Sequence, residues 1–548
     1  MLTVQSVDDL VNQFSEHTEL PKLLYWKLIN IATCLFPNTI WLFAVKMIGL
    51  PEKVLGFGIE TILLCIAAFA IVSWWLQKPK NLPPGPWGWP LVGYLPNLVV
   101  SLYRTGLNPH QLFANMATKY GPIFSMRIGG RLVVVLNKHR LIKEAFHNPH
   151  ISNRPASQTM VDLGLASGGG FLSPGEGWKH ERRFTLTTLR SFGVGKRSFE
   201  ECIAEEADYL SEEITHFNAT SFNPQPLFTN ATSNIICSVV FGKRYGYSDS
   251  NFKYLLSLIN QNVQLFGAGG VQLFFPIAKY FQPNHYKQLK NNITSLIKFI
   301  NDVVKQHESD RDPDNPNDYI DVYLNEIESS QKLGQESQVK IKTMPITIMG
   351  LFGAGTETTS TTLRWGVKYM MAYPEIQKRI QQEIDSVVGR DRRPRLSDKD
   401  SLPFTAATLL EIQRISSIVP LGVFHNCGED TTIDGYTIPK ETLVLANLSL
   451  VHHNPDTWKN PDEFNPERFL DKDGCLMERE KLIPFSTGRR MCIGEHLAKM
   501  ELYIFFTHLF HRFTFKKPDG DSQPISLKGV VGFVNAPSTF LTQVESRD

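Results

Sequence analysis

The chain lacks an excess of charge of either sign and lacks cysteines spaced for metal binding. Its 56 Lys and Arg residues nearly balance 54 Asp and Glu residues, giving a formal charge of +2. A nucleic-acid partner is therefore not expected. The seven cysteines are odd in number and widely spaced, with no Cys-x-x-Cys pair. Neither a disulfide framework nor a zinc site is predicted, and a reducing compartment fits.

The chain also lacks internal repeats and any flavin- or nicotinamide-binding motif. Redox chemistry would therefore need electrons from another protein. Hydrophobic residues make up 42% of the 548 residues, which is ample for a large core.

One cysteine has a distinctive setting. It is Cys492, in the run Phe485-Ser-Thr-Gly-Arg-Arg-Met-Cys-Ile-Gly494. A thiolate ligand to haem iron needs backbone N–H donors and a wall that excludes water, and this run offers both. The alternative is a glycine-containing loop with a buried free cysteine.

Four neighbours of Cys492 have residue types that suit a haem. Gly488 and Gly494 would let the backbone pass close under a flat macrocycle. Phe485 would form an apolar wall, and Arg490 would donate to a haem propionate. The pattern Phe-x-x-Gly-x-Arg-x-Cys-x-Gly resembles the cysteine-ligand loop of the cytochrome P450 family.

An indole and a guanidinium stand at i and i+4 in Trp178-Lys-His-Glu-Arg182. On a helix they share a face, and both can donate to a propionate. The alternative is an ordinary amphipathic helix with a basic side. The spacing matches the family's Trp-x-x-x-Arg.

A long helical pattern from 343 to 371 contains Ala354-Gly-Thr-Glu-Thr358. Interior glycines cost about 1 kcal/mol each, which suggests a helix opened to pass over a bound group. Cleaving dioxygen in a dry pocket needs protons, which Glu357 would supply and Thr358 would direct. The alternative is a helix with tolerated glycines. The run resembles the family's oxygen-activation segment, with Ala354 against the haem.

Further residues gain roles only through the resemblance. Glu411 and Arg414 match the family's Glu-x-x-Arg, and with Arg468 they would form a buried ion network. His425 would contact a propionate, although Phe424 replaces the proline usual before it. By position in the family, the substrate pocket would include Phe266, Phe274, Phe275, Phe352, Val419, Val423, Phe533 and Val534.

The N-terminal part is predicted to be a membrane anchor. Residues 54–76 carry one charge, Glu60, and are long enough to cross a bilayer, whereas 24–50 would lie in the interface or span weakly. Leu82-Pro-Pro-Gly-Pro86 resembles the proline-rich hinge of microsomal P450s. We therefore predict an extension and anchor over 1–81 and a catalytic domain over 82–548.

The resemblance implies a mainly α fold with a smaller β part and haem b, with Cys492 as iron ligand. It also implies an NADPH- and O2-dependent monooxygenase on the cytosolic face of the endoplasmic reticulum membrane. The expected partners are membrane lipids, NADPH-cytochrome P450 reductase, cytochrome b5 and an apolar substrate. A basic group near the cysteine would suit an acidic electron donor, or would simply be a solvated charged face: Arg182, Arg183, Arg190, Lys196, Arg489 and Lys499.

Within the P450 family, the sequence is most similar to microsomal family 2. Two segments resemble its subfamily U: Leu189-Arg-Ser-Phe-Gly-Val-Gly195 and Asp318-Tyr-Ile-Asp-Val-Tyr323. That subfamily hydroxylates long-chain fatty acids near the chain end. Alternatives are a steroid or xenobiotic hydroxylase, a haem-thiolate isomerase or lyase, and a non-catalytic haem sensor.

Overall fold

The computed structural model of the protein describes residues 59–76, 79–90, 92–155, 158–165, 173, 175, 177–193, 197–217, 220–268, 283–337, 339–477 and 479–547. The predicted interfacial stretch at 24–50 and the pocket candidates Phe274 and Phe275 lie outside the described residues. The side chain of Phe266 is also outside the description.

The chain divides into two compact units, Met1–Lys78 and Pro79–Asp548. The first contains helix α1, Ile59–Leu76, within the stretch predicted to anchor the protein. Apolar side chains of α1 such as Leu64 and Phe69 are exposed. Across the part of the chain that the structure describes, none of the helices combines the length and the apolar character needed to cross a membrane. The boundary predicted between residues 81 and 82 stays a prediction.

The second unit is mainly helical, as the sequence predicts. Its α-helices are α2 Leu95–Thr105, α3 Pro109–Tyr120, α4 His139–His147, α5 Gln158–Asp162, α6 Gly177–Ser191, α7 Arg197–Thr215, α8 Gln225–Phe241, α9 Ser250–Ala268, α10 Pro283–Asp310, α11 Tyr319–Lys332, α12 Met344–Ala372, α13 Pro374–Val388, α14 Pro403–Ser416, α15 Leu448–His452 and α16 Glu495–Arg512. Short 3-10 turns occupy Pro149–Ile151, Leu396–Ser401 and Pro466–Phe469.

The smaller β part comprises β1 Ile123–Ile128, β2 Arg131–Leu136, β3 His425–Asn426, β4 Thr431–Ile433, β5 Tyr436–Ile438, β6 Leu443–Ala446, β7 Phe513–Lys516, β8 Gly529–Val531, β9 Asn535–Pro537 and β10 Gln543–Ser546. One described sheet has four strands in the order β1-β2-β6-β3, with β2 and β6 parallel. The pairs β4–β5, β7–β10 and β8–β9 are two-stranded and antiparallel.

Two β-type runs in the sequence, Ile123 to Ile128 and Leu132 to Leu136, are joined by Gly129-Gly130 and predict a hairpin, which the structure confirms. Strands β1 and β2 pair antiparallel, with Ile123 opposite Leu136 and Ile128 opposite Arg131. Gly129 makes the turn at φ +59°, in the left-handed region where glycine has no Cβ to collide.

Helix α12 runs through the main core and packs against α8, α10, α14 and α16. The helix predicted over 343–371 is thus confirmed, but the predicted opening at its glycines is wrong. The α-helix is continuous from Met344 to Ala372. A Cβ on Gly355 would lie 2.5 Å from Ile236 Cδ1, so this glycine allows α8 to approach closely.

Candidate active site

The Cys492 loop is held by its own backbone. Cys492 N–H donates to the Phe485 carbonyl at 3.0 Å, and Met491 N–H donates to the Gly488 carbonyl at 3.1 Å. Helix α16 begins three residues after Cys492, with Gly494 as its N-cap. The loop therefore presents the cysteine from a rigid turn at the start of a helix.

The Cys492 side chain is accessible, although desolvation is the main influence on its thiol. Both observations fit a sulfur that faces a space enclosed by protein. Burial raises the thiol pKa, while the Gly494 N–H and the Arg182 guanidinium act to lower it. In the protein alone these donors do not outweigh burial, so a bound metal ion would complete the deprotonation.

Gly488 is required for a different reason from the predicted one, which was close passage of the backbone under a haem. It adopts φ +79°, and a Cβ there would lie 2.2 Å from the Phe146 carbonyl oxygen at the end of α4. The same carbonyl accepts a hydrogen bond from the Arg489 N–H at 3.1 Å. Close backbone packing of the loop on α4 therefore requires glycine. A Cβ on Gly494 would meet no atom within 4 Å, so packing does not explain that glycine.

Arg490 and Trp178 come together, as their predicted shared role requires. The Arg490 guanidinium carbon lies 3.6 Å from the centroid of the Trp178 ring. Arg490 Nε donates to the Ser152 carbonyl at 2.8 Å, and its Nη2 donates to the Ser173 carbonyl at 3.1 Å. Trp178 is 4% exposed, and its Nε1–H has no hydrogen-bond partner among the described residues.

Arg154 belongs to this group and was missed by sequence reasoning. It is buried and donates to the carbonyls of Val423 at 3.0 Å and Phe424 at 2.7 Å, while its Nε–H has no described partner. Burial lowers its pKa to about 9, with Arg182 adding to the effect. The only local signal was an arginine before a proline, which is too common to indicate a site.

His425 lies behind these donors. Its ring stacks on Phe146 with the centroids 3.8 Å apart, and Nδ1–H donates to the Ile151 carbonyl at 2.8 Å. Burial, followed by the charge of Arg154, holds its pKa well below the usual value. A neutral ring with its proton on Nδ1 cannot donate from Nε2, so the predicted contact with a propionate requires a second proton.

The donor set fits a haem. Arg154 is buried and Arg182 is half-buried, and neither has a carboxylate partner among the described residues. Burial lowers the pKa of both. Buried guanidinium groups without a counter-anion are costly, and the unpartnered Trp178 N–H adds to that cost. Two propionate carboxylates would satisfy these groups, and Cys492 would bind the iron.

The oxygen-activation segment lies at an open face of α12. Ala354 is exposed and Thr358 is half-buried, whereas the following helical turns are buried. Thr358 Oγ1 donates to the Ala354 carbonyl at 2.7 Å. The Glu357 carboxylate instead accepts from Thr361 Oγ1 at 3.3 Å. Burial raises the pKa of Glu357, although Arg364 and Thr361 oppose the shift.

The structure also assembles the predicted ion network. Arg414 donates to the Glu411 carboxylate from Nε at 2.7 Å and from Nη2 at 2.8 Å, and both side chains are fully buried. Arg468 Nε donates to Glu411 Oε1 at 3.0 Å. Arg414 also donates to the His452 carbonyl at 2.7 Å, and this bond connects α14 to the end of α15.

The described pocket candidates differ in their surroundings. Phe352 is 1% exposed and packs 5.1 Å from the Phe241 ring in the main core, so it is a core residue rather than a pocket wall. Val419 and Val423 are half-buried. In the turn between β8 and β9, Val534 is buried and Phe533 is half-exposed.

A mainly helical fold that brings an accessible cysteine together with cations lacking carboxylate partners is the arrangement expected of a haem-thiolate enzyme. The family model described as "Cytochrome P450" matches residues 83–544. The chain therefore belongs to the cytochrome P450 family. It is accordingly a monooxygenase, an oxidoreductase with haem b as its cofactor.

The similar curated proteins belong to family 2. Cytochrome P450 2J2 of Homo sapiens is 40% identical over 87% of this chain and 94% of its own length. Cytochrome P450 2J5 of Mus musculus is 39% identical over 88% and 95%. Cytochrome P450 2U1 of Mus musculus is 38% identical over 89% and 95%. The resemblance to family 2 is confirmed, and identity alone does not choose between the two subfamilies.

Proposed function

We propose that this monooxygenase hydroxylates long-chain fatty acids near the chain end. The accessible part of α12 carries the proposal, because Ala354 is exposed and Thr358 half-buried just before the turns that are buried in the core. The resemblance of residues 189–195 and 318–323 to subfamily U supports the fatty-acid substrate. Half-buried Val419 and Val423 are apolar, as a lipid chain requires.

The residues of the chain divide the work of the reaction. Haem, when bound, supplies the binding and reductive activation of dioxygen. Arg154, Arg182 and the Trp178 N–H would hold its propionates, and Cys492 its iron. The Thr358 hydroxyl can transfer its hydrogen bond from the Ala354 carbonyl to a reacting oxygen. Glu357 retains its proton to higher pH than an exposed glutamate and can pass it on through ordered water.

The electron donor we propose is NADPH-cytochrome P450 reductase, with cytochrome b5 as a second donor. Arg183, Arg190, Arg489 and Lys499 are exposed, Arg182 is half-buried, and Lys196 lies outside the described residues. Exposed cations of this kind steer an acidic partner. The rate of NADPH-supported haem reduction should therefore fall as ionic strength rises. A rate independent of salt would argue against electrostatic docking.

We also propose attachment to the endoplasmic reticulum membrane with the catalytic domain in the cytosol. Exposed Leu64, Phe69 and Val72 on α1 support membrane contact. Alkaline extraction of microsomes tests the attachment, and digestion of sealed microsomes by protease tests the orientation. Protection of the catalytic domain in intact vesicles would contradict a cytosolic location.

The substrate is tested with purified holoprotein, reductase and NADPH on a panel of fatty acids, steroids and drug-like molecules. Hydroxylated fatty acids alone would support the proposal. Products only from the other classes would keep the monooxygenase and exclude the substrate. The Cys492→Ser variant is the control for background oxidation, and its products are subtracted.

A further inference from the structure

A buried carboxyl group lies beside Trp178 and Arg182, the donors on α6, and has no part in the reaction described above. Glu181 follows Trp178 by three residues and precedes Arg182 on α6, and it is 2% exposed. Buried carboxyl groups are uncommon unless they are paired with a cation. Among the described residues no cation pairs with Glu181, so its partners must be sought among neutral groups.

Its two oxygens reach two other helices. Glu181 Oε1 accepts from Thr347 Oγ1 of α12 at 2.9 Å, and Oε2 lies 3.4 Å from the Tyr323 hydroxyl of α11. The Tyr323 hydroxyl is also 3.1 Å from the Lys340 carbonyl and 3.0 Å from Thr343 Oγ1. Glu181 therefore joins the helix of Trp178 and Arg182 to the turn that leads into α12.

The Tyr323 hydroxyl has one proton and several acceptors. If Glu181 is protonated, it can donate to the Tyr323 oxygen, and Tyr323 donates to the Lys340 carbonyl. If Glu181 is ionised, Tyr323 must turn its proton toward Glu181. The Lys340 carbonyl then keeps only the bond from Thr343 Oγ1, at 2.8 Å. Proton loss thus rearranges the contact between the helices.

The groups around Glu181 offer no cation to stabilise its ionised form. Tyr319 and Tyr323 face it from α11 and Thr347 from α12, and none of them is a cation. The Lys340 ammonium is 3.1 Å from Glu336, and Arg182 on α6 interacts with Cys492. Burial raises the pKa of Glu181 to about 7, against smaller opposing effects of Thr347 and Tyr323.

We propose that Glu181 is a positioning residue whose protonated side chain ties α6 to the start of α12 and thereby holds Trp178 and Arg182 in place for the haem propionates. Ionisation keeps the bonds from Thr347 and Tyr323 but leaves a buried anion without a cation. Because an anion is more stable in water, the junction then opens more readily and α6 loosens. Haem then dissociates from the protein faster as the pH rises through 7. Glu181 touches neither substrate nor haem in this role, and acts through its two neighbours.

The test measures haem transfer from the holoprotein to an excess of apomyoglobin between pH 6 and pH 8.5. Glu181→Gln accepts from Thr347 and donates to Tyr323 at every pH, so it imitates the protonated state. We expect transfer from the unaltered protein to speed up about fivefold across this range, the effect of roughly one hydrogen bond. Glu181→Gln should stay slow throughout, and Glu181→Leu should be fast throughout.

Two further variants make the result specific. His180→Gln changes an exposed titratable neighbour on α6 and should keep the pH profile of the unaltered protein. Thr347→Val removes a hydrogen bond that lowers the Glu181 pKa, so the midpoint should move to higher pH. Amide hydrogen exchange in α6 should follow the same profile.

Equal pH profiles for Glu181→Gln and the unaltered protein would overturn the proposal. So would loss of the profile in His180→Gln. If Glu181→Leu does not fold, the Gln and Val variants decide the question between them.

Discussion

The guanidinium of Arg490 lies over the indole of Trp178 at 3.6 Å, joining two segments that are 312 residues apart in the chain. The stacking holds the Trp178 ring in place and leaves its Nε1–H without a described partner. This pair is where the Cys492 loop meets α6. It explains why two motifs that are distant in sequence serve one site.

Trp178→Phe should keep the stacked ring and lose the N–H donor. Because a hydrogen bond to a charged group contributes about 1.5–3 kcal/mol, haem transfer should become roughly 10–100-fold faster. Transfer to apomyoglobin measures this directly. Trp89→Phe is the matched control, since Trp89 is exposed and donates to Asn97 at 3.2 Å. Equal rates for the two variants would remove Trp178 from the haem site.

Cys492→Ala should abolish the thiolate-type spectrum of the reduced protein under carbon monoxide, because no other described cysteine lies in the site. Difference spectroscopy of the purified holoprotein is the measurement. Cys475→Ala changes an exposed cysteine elsewhere and should leave the spectrum intact. A surviving spectrum in Cys492→Ala would mean that another residue binds the iron.

Thr358→Ala should keep haem but lower the yield of product per NADPH several-fold, with hydrogen peroxide released instead. Among the described residues the removed hydroxyl bonds only to the Ala354 carbonyl of its own helix, so α12 should stay folded. Thr362→Ala is the control, because Thr362 Oγ1 makes the equivalent bond to the Thr358 carbonyl at 2.8 Å. Unchanged coupling in Thr358→Ala would exclude the threonine from proton delivery.

Glu411→Gln should be strongly destabilising, because Arg414 and Arg468 would lose the charge that compensates them in a buried site. Breaking a buried pair costs about 3–5 kcal/mol. Urea unfolding of the holoprotein measures the loss. Glu467→Gln removes the partner of Arg379 in a half-exposed pair and should cost less than about 1 kcal/mol. Similar costs for both variants would show that the network does not support the core.

Glu501→Gln should reduce the pH dependence of stability. Glu501 on α16 is fully buried with Thr359 as a hydrogen-bond partner, and burial raises its pKa to about 8. The native state then binds more protons than the unfolded state from about pH 4.5 to 8, so its stability falls as pH rises through this window. The substitution should therefore raise the melting temperature, relative to that of the unaltered protein, by more at pH 8 than at pH 5.5. Glu212→Gln, on the exposed face of α7, should show no such difference.

Local patterns in the sequence determined much of this protein. Three features depend on residues that lie within about fifteen positions of one another: the Cys492 loop, the i and i+4 spacing of Trp178 and Arg182, and the β1–β2 hairpin. Backbone geometry over such short distances follows from residue type, so these features could be predicted. The same is true of α12, whose apolar pattern is long enough to exclude a strand.

Contacts between distant segments were decided only by the tertiary structure. Arg154 becomes a haem-side donor because the carbonyls of Val423 and Phe424, far along the chain, hold it. Gly488 is needed because the Phe146 carbonyl lies against it, and Gly355 because α8 lies against α12. Glu181 acquires its environment from two other helices. Burial and desolvation depend on which surfaces meet, and no spacing along a single chain encodes them alone.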